Sequence, residues 1–230
     1  MSNLLKNSLL FVTLCFLFAC GNTPGSNNPA DAKGTGQPNQ AKSSVKKKTI
    51  VFFGNSLTAA YGLDLSEGYV SLIQQRLDSL GLPYRTINAG LSGETTAAGK
   101  ERVNWVLRQP LDVFVLELGG NDALRGVDPA VTYDNLKAII EAVKTKYPEV
   151  KIILAGMEAP PNMGRTYTTA FRQNYARLAD ELNLAFIPFF LDGVGGVKEL
   201  NLPDGIHPNE EGQKILLENV WEVLKPLIAG

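Results

Sequence analysis

From residue 49 onward, short β-branched or apolar runs alternate with helix-length amphipathic stretches, and this alternation constrains the fold more than any other feature of the chain. The runs read as strands over residues 49–53, 84–89, 113–118, 151–157 and 185–188. Helices are expected between them near 68–80, 95–108, 129–147 and 168–182, with a last one near 210–227. Alternating βα units imply an α/β fold in which a parallel sheet is covered by helices on both faces. In such sheets the functional groups collect on loops at the carboxyl ends of the strands.

The residues before this pattern read as a leader and a spacer. Residues 1–6 carry one positive side chain, Lys6, and residues 9–19 form an apolar or near-apolar run that is short for a bilayer span and placed as a secretory signal core. The run ends Leu17-Phe18-Ala19-Cys20-Gly21, which resembles a bacterial lipobox, with Phe18 an unusual choice at its position. That resemblance implies a signal peptide over 1–19 and lipidation of Cys20; the alternative is a general secretory signal cut near Ala19. A lipid anchor would tether the chain to a cell-envelope membrane rather than insert it. No aspartate follows Cys20, so nothing signals inner-membrane retention, and an outer-membrane or periplasmic location is expected. Residues 20–46 are mostly Asn, Pro, Gly, Ala, Ser, Gln and Lys, a composition too poor in large apolar residues to fold, and they read as a flexible linker.

Residues 47–230 then form one domain, long enough to close a sizeable core. Cys15 falls in the signal and Cys20 at the lipidation position, so neither a disulfide nor a cysteine metal site is expected. Basic and acidic residues number 22 and 23, a balance that favours neither nucleic acid nor a strongly charged polymer. The chain is expected to act as a monomer, without metal or cofactor.

The loops that follow the first three strands carry Gly54-Asn55-Ser56-Leu57-Thr58, Asn88-Ala89-Gly90-Leu91-Ser92-Gly93-Glu94 and Gly119-Gly120-Asn121-Asp122. After the fifth strand, Asp204-Gly205-Ile206-His207-Pro208 returns to the same edge of the sheet. His207 is the only histidine, and imidazole is the one side chain whose ordinary pKa suits proton transfer near neutrality. Taken singly, each loop has an ordinary reading: a strand-to-helix turn with a capping serine, a glycine-rich turn, a loop leading into a helix cap. Glu117 and Glu158, each at a strand end, are expected to be structural or solvated rather than a working carboxylate pair.

These four segments, in this order across nearly the whole domain, resemble the four motifs of the GDSL, or SGNH, hydrolases. Within that family the chain is similar to the bacterial secreted group with thioesterase, arylesterase and lysophospholipase activities, on residues 88–95, 119–122 and Pro161-Asn162-Met163-Gly164-Arg165. The resemblance implies a three-layer α/β/α, flavodoxin-like fold with a five-stranded parallel sheet. It also implies a serine esterase in which Ser56 is the nucleophile, His207 the base and Asp204 the group that orients the histidine. The implied oxyanion donors are the backbone amides of Ser56 and Gly93 and the side-chain amide of Asn121. The G-x-S-x-G elbow of α/β-hydrolases is absent, since Leu57 and Thr58 follow Ser56. Where the family usually has aspartate before the nucleophile, this chain has Asn55, which keeps the shape and loses the charge.

The expected substrates are small esters or lipids: aryl and acyl esters, lysophospholipids and acyl thioesters. Asn55, Met163 and Tyr167 are candidate substrate-binding residues, the last two on a loop over 159–169 that also holds Pro160 and Pro161. Residues 191–203 fit either a mobile rim or a solvated loop. Two other functions share these residues: O-deacetylation of a polysaccharide, and a lipid-anchored binding protein that keeps the fold without turnover.

Overall fold

The computed structural model describes residues 46–229. The signal segment 1–19 with Cys20, and the linker apart from Lys46, lie outside the described residues. Five strands, β1 (Lys48–Gly54), β2 (Tyr84–Gly90), β3 (Val113–Glu117), β4 (Lys151–Ala155) and β5 (Ala185–Ile187), form one parallel sheet in the order β2-β1-β3-β4-β5. The α/β architecture is therefore the flavodoxin-like one. Burial explains why the strands read as they do. In β1 every residue after Lys48 is buried, and all of β3 is, because both are interior strands covered on two faces. The edge strand β2 is partly exposed along most of its length.

Among the described residues, six α-helices complete the layers: α1 (Tyr69–Ser79), α2 (Thr96–Val106), α3 (Gly120–Leu124), α4 (Pro129–Lys146), α5 (Arg165–Leu182) and α6 (Glu210–Ile228). Helix α4 packs between α2 and α5, while α1 packs on α6. The α4 sequence shows why it forms. Asp128 caps it by accepting from the Ala130 amide at 2.8 Å, Pro129 needs no N–H at the first turn, and Leu136, Ile139, Ile140 and Val143 put one apolar stripe on the core.

Besides end shifts of one or two residues, as where β4 stops at Ala155 and α2 at Val106, two differences from the sequence reading bear on the site. Helix α5 starts at Arg165 rather than 168, because Gly164, at φ 85°, makes the turn that a side chain would resist, and its carbonyl already accepts from the Thr168 amide. The Gly-Gly-Asn-Asp turn contains a short helix, α3, entered through Gly119 at φ 115°. A Cβ at Gly119 would collide with the Tyr175 hydroxyl, so only glycine fits.

The strand order places the site. The chain leaves β1 for β2 on one side and returns to β3 on the other, so the loops after β1 and β3 diverge and open a crevice at the carboxyl edge.

Candidate active site

The loop after β1 is folded onto β3 by a glycine and a carboxyl group. A Cβ on Gly54 would collide with Thr58 Oγ1 and meet Glu117 Oε2 at 2.5 Å, so glycine lets the loop close over Glu117. Asn55 Oδ1 accepts from the Leu57 amide at 2.9 Å, a local turn that holds Ser56 between them. Ser56 is nearly buried, and its Oγ faces the crevice, 2.9 Å from His207 Nε2 and 3.4 Å from Asn55 Oδ1.

His207 comes from a loop pinned at both ends. The Leu202 amide donates to the His207 carbonyl at 2.7 Å, the Asn209 amide donates to the Leu200 carbonyl at 2.9 Å, and Asn201 bridges antiparallel to Pro208. Within the loop, Asp204 Oδ2 lies 2.7 Å from His207 Nδ1, while Oδ1 accepts from the Ile206 and His207 amides, each at 3.0 Å. The Ile206 amide first, and His207 next, hold the Asp204 carboxyl down at about 2. Asp204 therefore stays ionised across the working range. Its contribution to stability is present above the ordinary carboxylate range and is lost as pH falls toward about 2. The Tyr61 ring covers the imidazole at a centroid distance of 4.6 Å.

The other side of the crevice is built by the loops after β2 and β3. Gly93 turns at φ 80°, and Arg125 Nη2 donates to its carbonyl at 3.1 Å. Asn121 Nδ2 donates to the Glu94 carbonyl at 3.0 Å, and Asp122 Oδ2 accepts from the Thr96 amide at 2.9 Å, so the two loops are laced together. Among the described residues, neither the Ser56 nor the Gly93 amide has a hydrogen-bond acceptor. Ser56, Gly93, Asn121 and His207 line one cavity of about 600 Å³, with apolar walls from Leu124, Met157, Pro160, Pro161, Phe189 and Ile206. Chemically, the arrangement offers a hydroxyl next to an imidazole, a carboxylate that keeps the imidazole's other nitrogen occupied, and neutral N–H donors where negative charge can develop.

The Gly93 loop rests on a buried ion pair. Glu94 is almost inaccessible and is gripped by Arg102 through Nε at 2.6 Å and Nη2 at 2.5 Å, while Nη2 also donates to the Ala89 carbonyl. Removing the guanidinium leaves a buried carboxylate alone, which costs roughly 3–5 kcal/mol where the pair is buried. Arg102 is partly exposed, so Arg102→Ala is expected near the lower end, about 3 kcal/mol, read as a lower denaturant midpoint with unchanged slope.

The candidate residues divide. Ser56, Asn55, Gly93, Asn121 and His207 meet at the cavity, and Asp204 stands behind the histidine. Met163 and Tyr167 do not: they line a separate groove with Asp128 and Arg165. Because α5 begins early, Tyr167 sits in its first turn, where its hydroxyl donates to the Val127 carbonyl at 2.7 Å and its ring stacks on Phe171. From that loop Pro160 and Pro161 are the residues that reach the cavity. Leu191, Gly195 and Asn201 bring the segment 191–203 to the rim, where Asn201 Nδ2 ties down the Val194 and Val197 carbonyls. Glu158 is exposed and pairs with Arg172 at 3.6 Å, whereas Glu117 is fully buried beneath the Ser56 loop. Sequence reasoning missed Tyr61 and the depth of Glu117. The second had a signal, a lone acid closing an otherwise apolar central strand.

Residues 52–215 match the GDSL-like lipase/acylhydrolase family. The chain is 44% identical over 182 residues to esterase TesA of Pseudomonas aeruginosa, covering 79% of this chain and 90% of that protein. It is 34% identical over 181 residues to thioesterase 1/protease 1/lysophospholipase L1 of Escherichia coli K12, covering 78% and 85%. The crystal structure of TesA superposes with a TM-score of 0.75 at 44% identity, covering 78% of this chain and 99% of that one.

Proposed function

The chain belongs to the GDSL-like lipase/acylhydrolase family, and from that premise we propose that it hydrolyses carboxylic esters through an acyl-enzyme on Ser56. Aryl and acyl esters, lysophospholipids and acyl thioesters are its substrate classes; esterase, thioesterase and lysophospholipase are the activities named for its relatives. The observation that carries the reading is the hydrogen-bonded line Asp204–His207–Ser56 opening onto a cavity with apolar walls.

In this reading Ser56 Oγ attacks the ester carbonyl as its proton passes to His207 Nε2, and Asp204 holds the Nδ1 proton and stabilises the imidazolium. The carbonyl oxygen becomes an oxyanion held by the Ser56 and Gly93 amides and by Asn121 Nδ2. Collapse of the tetrahedral intermediate breaks the C–O bond, and His207 returns the proton to the departing alcohol. Water, deprotonated by the same imidazole, then releases the acid and restores Ser56. The apolar walls suit an acyl chain better than a hydroxyl-rich sugar, which favours ester and lipid substrates over O-acetylated glycans.

The test is labelling with a fluorophosphonate, with aryl esters of increasing acyl length and an acetylated sugar as competitors. Labelling at Ser56, protected best by an acyl ester longer than acetate, is the expected result. Protection by the acetylated sugar alone would turn the reading to a deacetylase, and no labelling of the folded protein would leave a binding protein.

Lipidation at Cys20 would hold this hydrolase at a cell-envelope membrane, as a monomer acting on lipid esters nearby. An acylated, membrane-extracted N-terminus at Cys20, lost in Cys20→Ser, is the expected mass-spectrometric result.

A further inference from the structure

Beneath the Ser56 loop lies a buried carboxyl group that the ester chemistry does not use. Glu117 is fully inaccessible, and no lysine or arginine among the described residues pairs with it. Its contacts are with the loop itself. Asn55 Nδ2 donates to Oε1 at 2.7 Å, the Asn55 backbone amide donates to Oε2 at 3.2 Å, and Thr58 Oγ1 donates to Oε2 at 2.8 Å. Thr58 Oγ1 is in turn 2.9 Å from the Tyr69 hydroxyl. Asn55 thus has its amide nitrogen on Glu117 and its amide oxygen on the Leu57 N–H, so Glu117 fixes the amide's orientation and the amide fixes the turn that carries Ser56.

We propose that Asn55 and Glu117 are a positioning pair for Ser56, an amide–carboxyl contact that seats the nucleophile loop whether or not Glu117 holds a proton. The inference rests on Ser56 being the nucleophile. The backbone and side-chain N–H groups of Asn55 donate to carboxyl oxygens in either state. Proton uptake by Glu117 changes only the hydroxyl directions: its O–H then donates to Thr58, which donates onward to Tyr69. The distinction matters because burial pushes the Glu117 carboxyl up to about 8, against the pull of the Thr58 and Asn55 hydrogen bonds, so the group titrates within the working range. The titratable groups facing it are neutral phenols. Tyr69 on α1 and Tyr175 on α5 are both raised chiefly by burial, with the Glu117 charge a lesser cause and Asp122 on α3 acting also on Tyr175.

An aspartate at position 55 would behave differently. It would set a carboxylate oxygen 2.7 Å from Glu117 Oε1, a separation at which two acids keep close only by sharing a proton. Glu117→Gln fails for the opposite reason, since in either orientation its NH₂ meets an Asn55 donor. The double variant exchanges the roles: the new amide nitrogen at position 117 donates to the new carboxylate at position 55, while the amide oxygen accepts from the residue-55 backbone N–H and from Thr58.

The experiment measures kcat and KM of the native chain, Asn55→Asp, Glu117→Gln and the double variant on one aryl ester from about pH 6 to about pH 9, with melting temperatures. Glu117→Gln should lose about tenfold or more in kcat with KM little changed, as misplacement of a reacting group does. Asn55→Asp should lose kcat and gain an alkaline fall of about tenfold that the native profile lacks. The double variant should regain most of the loss with no alkaline fall. A flat Asn55→Asp profile, its failure to fold at about pH 6 where the shared proton accommodates it, or a folded double variant no faster than the slower single would each overturn the pair. If only the variants carrying Glu117→Gln fail to fold, the Asn55→Asp profile decides. A native chain that hydrolyses no ester would instead defeat the proposed function.

Discussion

Ser56→Ala is expected to slow ester hydrolysis roughly a millionfold, His207→Ala by about as much, and the double variant by no more than either. The reason is geometric. Ser56 Oγ and His207 Nε2 are 2.9 Å apart, so in the proposed reaction the hydroxyl becomes a nucleophile only as the imidazole takes its proton, and loss of either partner removes the whole unit. Asp204→Asn is expected to cost about 10⁴ in kcat through the wrong histidine tautomer. It should also loosen the loop, since Oδ1 holds the Ile206 and His207 amides. The measurement is single-turnover hydrolysis of an aryl ester. Residual activity within about tenfold of native in Ser56→Ala would require a different nucleophile.

Asn121→Ala is expected to lower kcat roughly a hundred- to a thousandfold while KM changes little, because an oxyanion donor, the role proposed for Asn121, acts on charge that exists only in the transition state. One N–H of the Asn121 amide is committed to the Glu94 carbonyl at 3.0 Å, which fixes the amide plane and leaves the second N–H for the cavity. Asn121→Asp removes the donor and adds a negative charge beside the developing oxyanion, so it should be slower still than the alanine variant. A rise in KM with kcat preserved would show that Asn121 binds the ground state and would remove it from the oxyanion site.

The sequence carried a good deal of this. The apolar runs of β1 and β3 are read without difficulty because a strand buried on both faces must be apolar throughout, and the stripe of α4 shows its period directly. The glycine-rich loops and the Asp204–His207 spacing were legible because they are local: an aspartate three residues before a histidine needs only one turn to reach it. The placement of Met163 and Tyr167 was not legible, since it turned on where α5 begins, and one glycine at positive φ moved that start by three residues.

What the sequence by itself determined is the set of elements and the chemistry each loop carries, because propensity, periodicity and turn residues act over a few residues. Only the tertiary structure decided which loops face one another. Ser56 and His207, 151 positions apart along the chain, are brought together by a sheet order in which β1 lies between β2 and β3, and that order follows from packing helices on both faces of a twisted sheet. The same packing turned Glu117 from a strand-end acid into the buried seat of the Ser56 loop and laid Tyr61 over the histidine. The lone acid at the end of an apolar strand hints that Glu117 is buried, but what it meets there, and the reach of Tyr61 to the histidine, have no local cause.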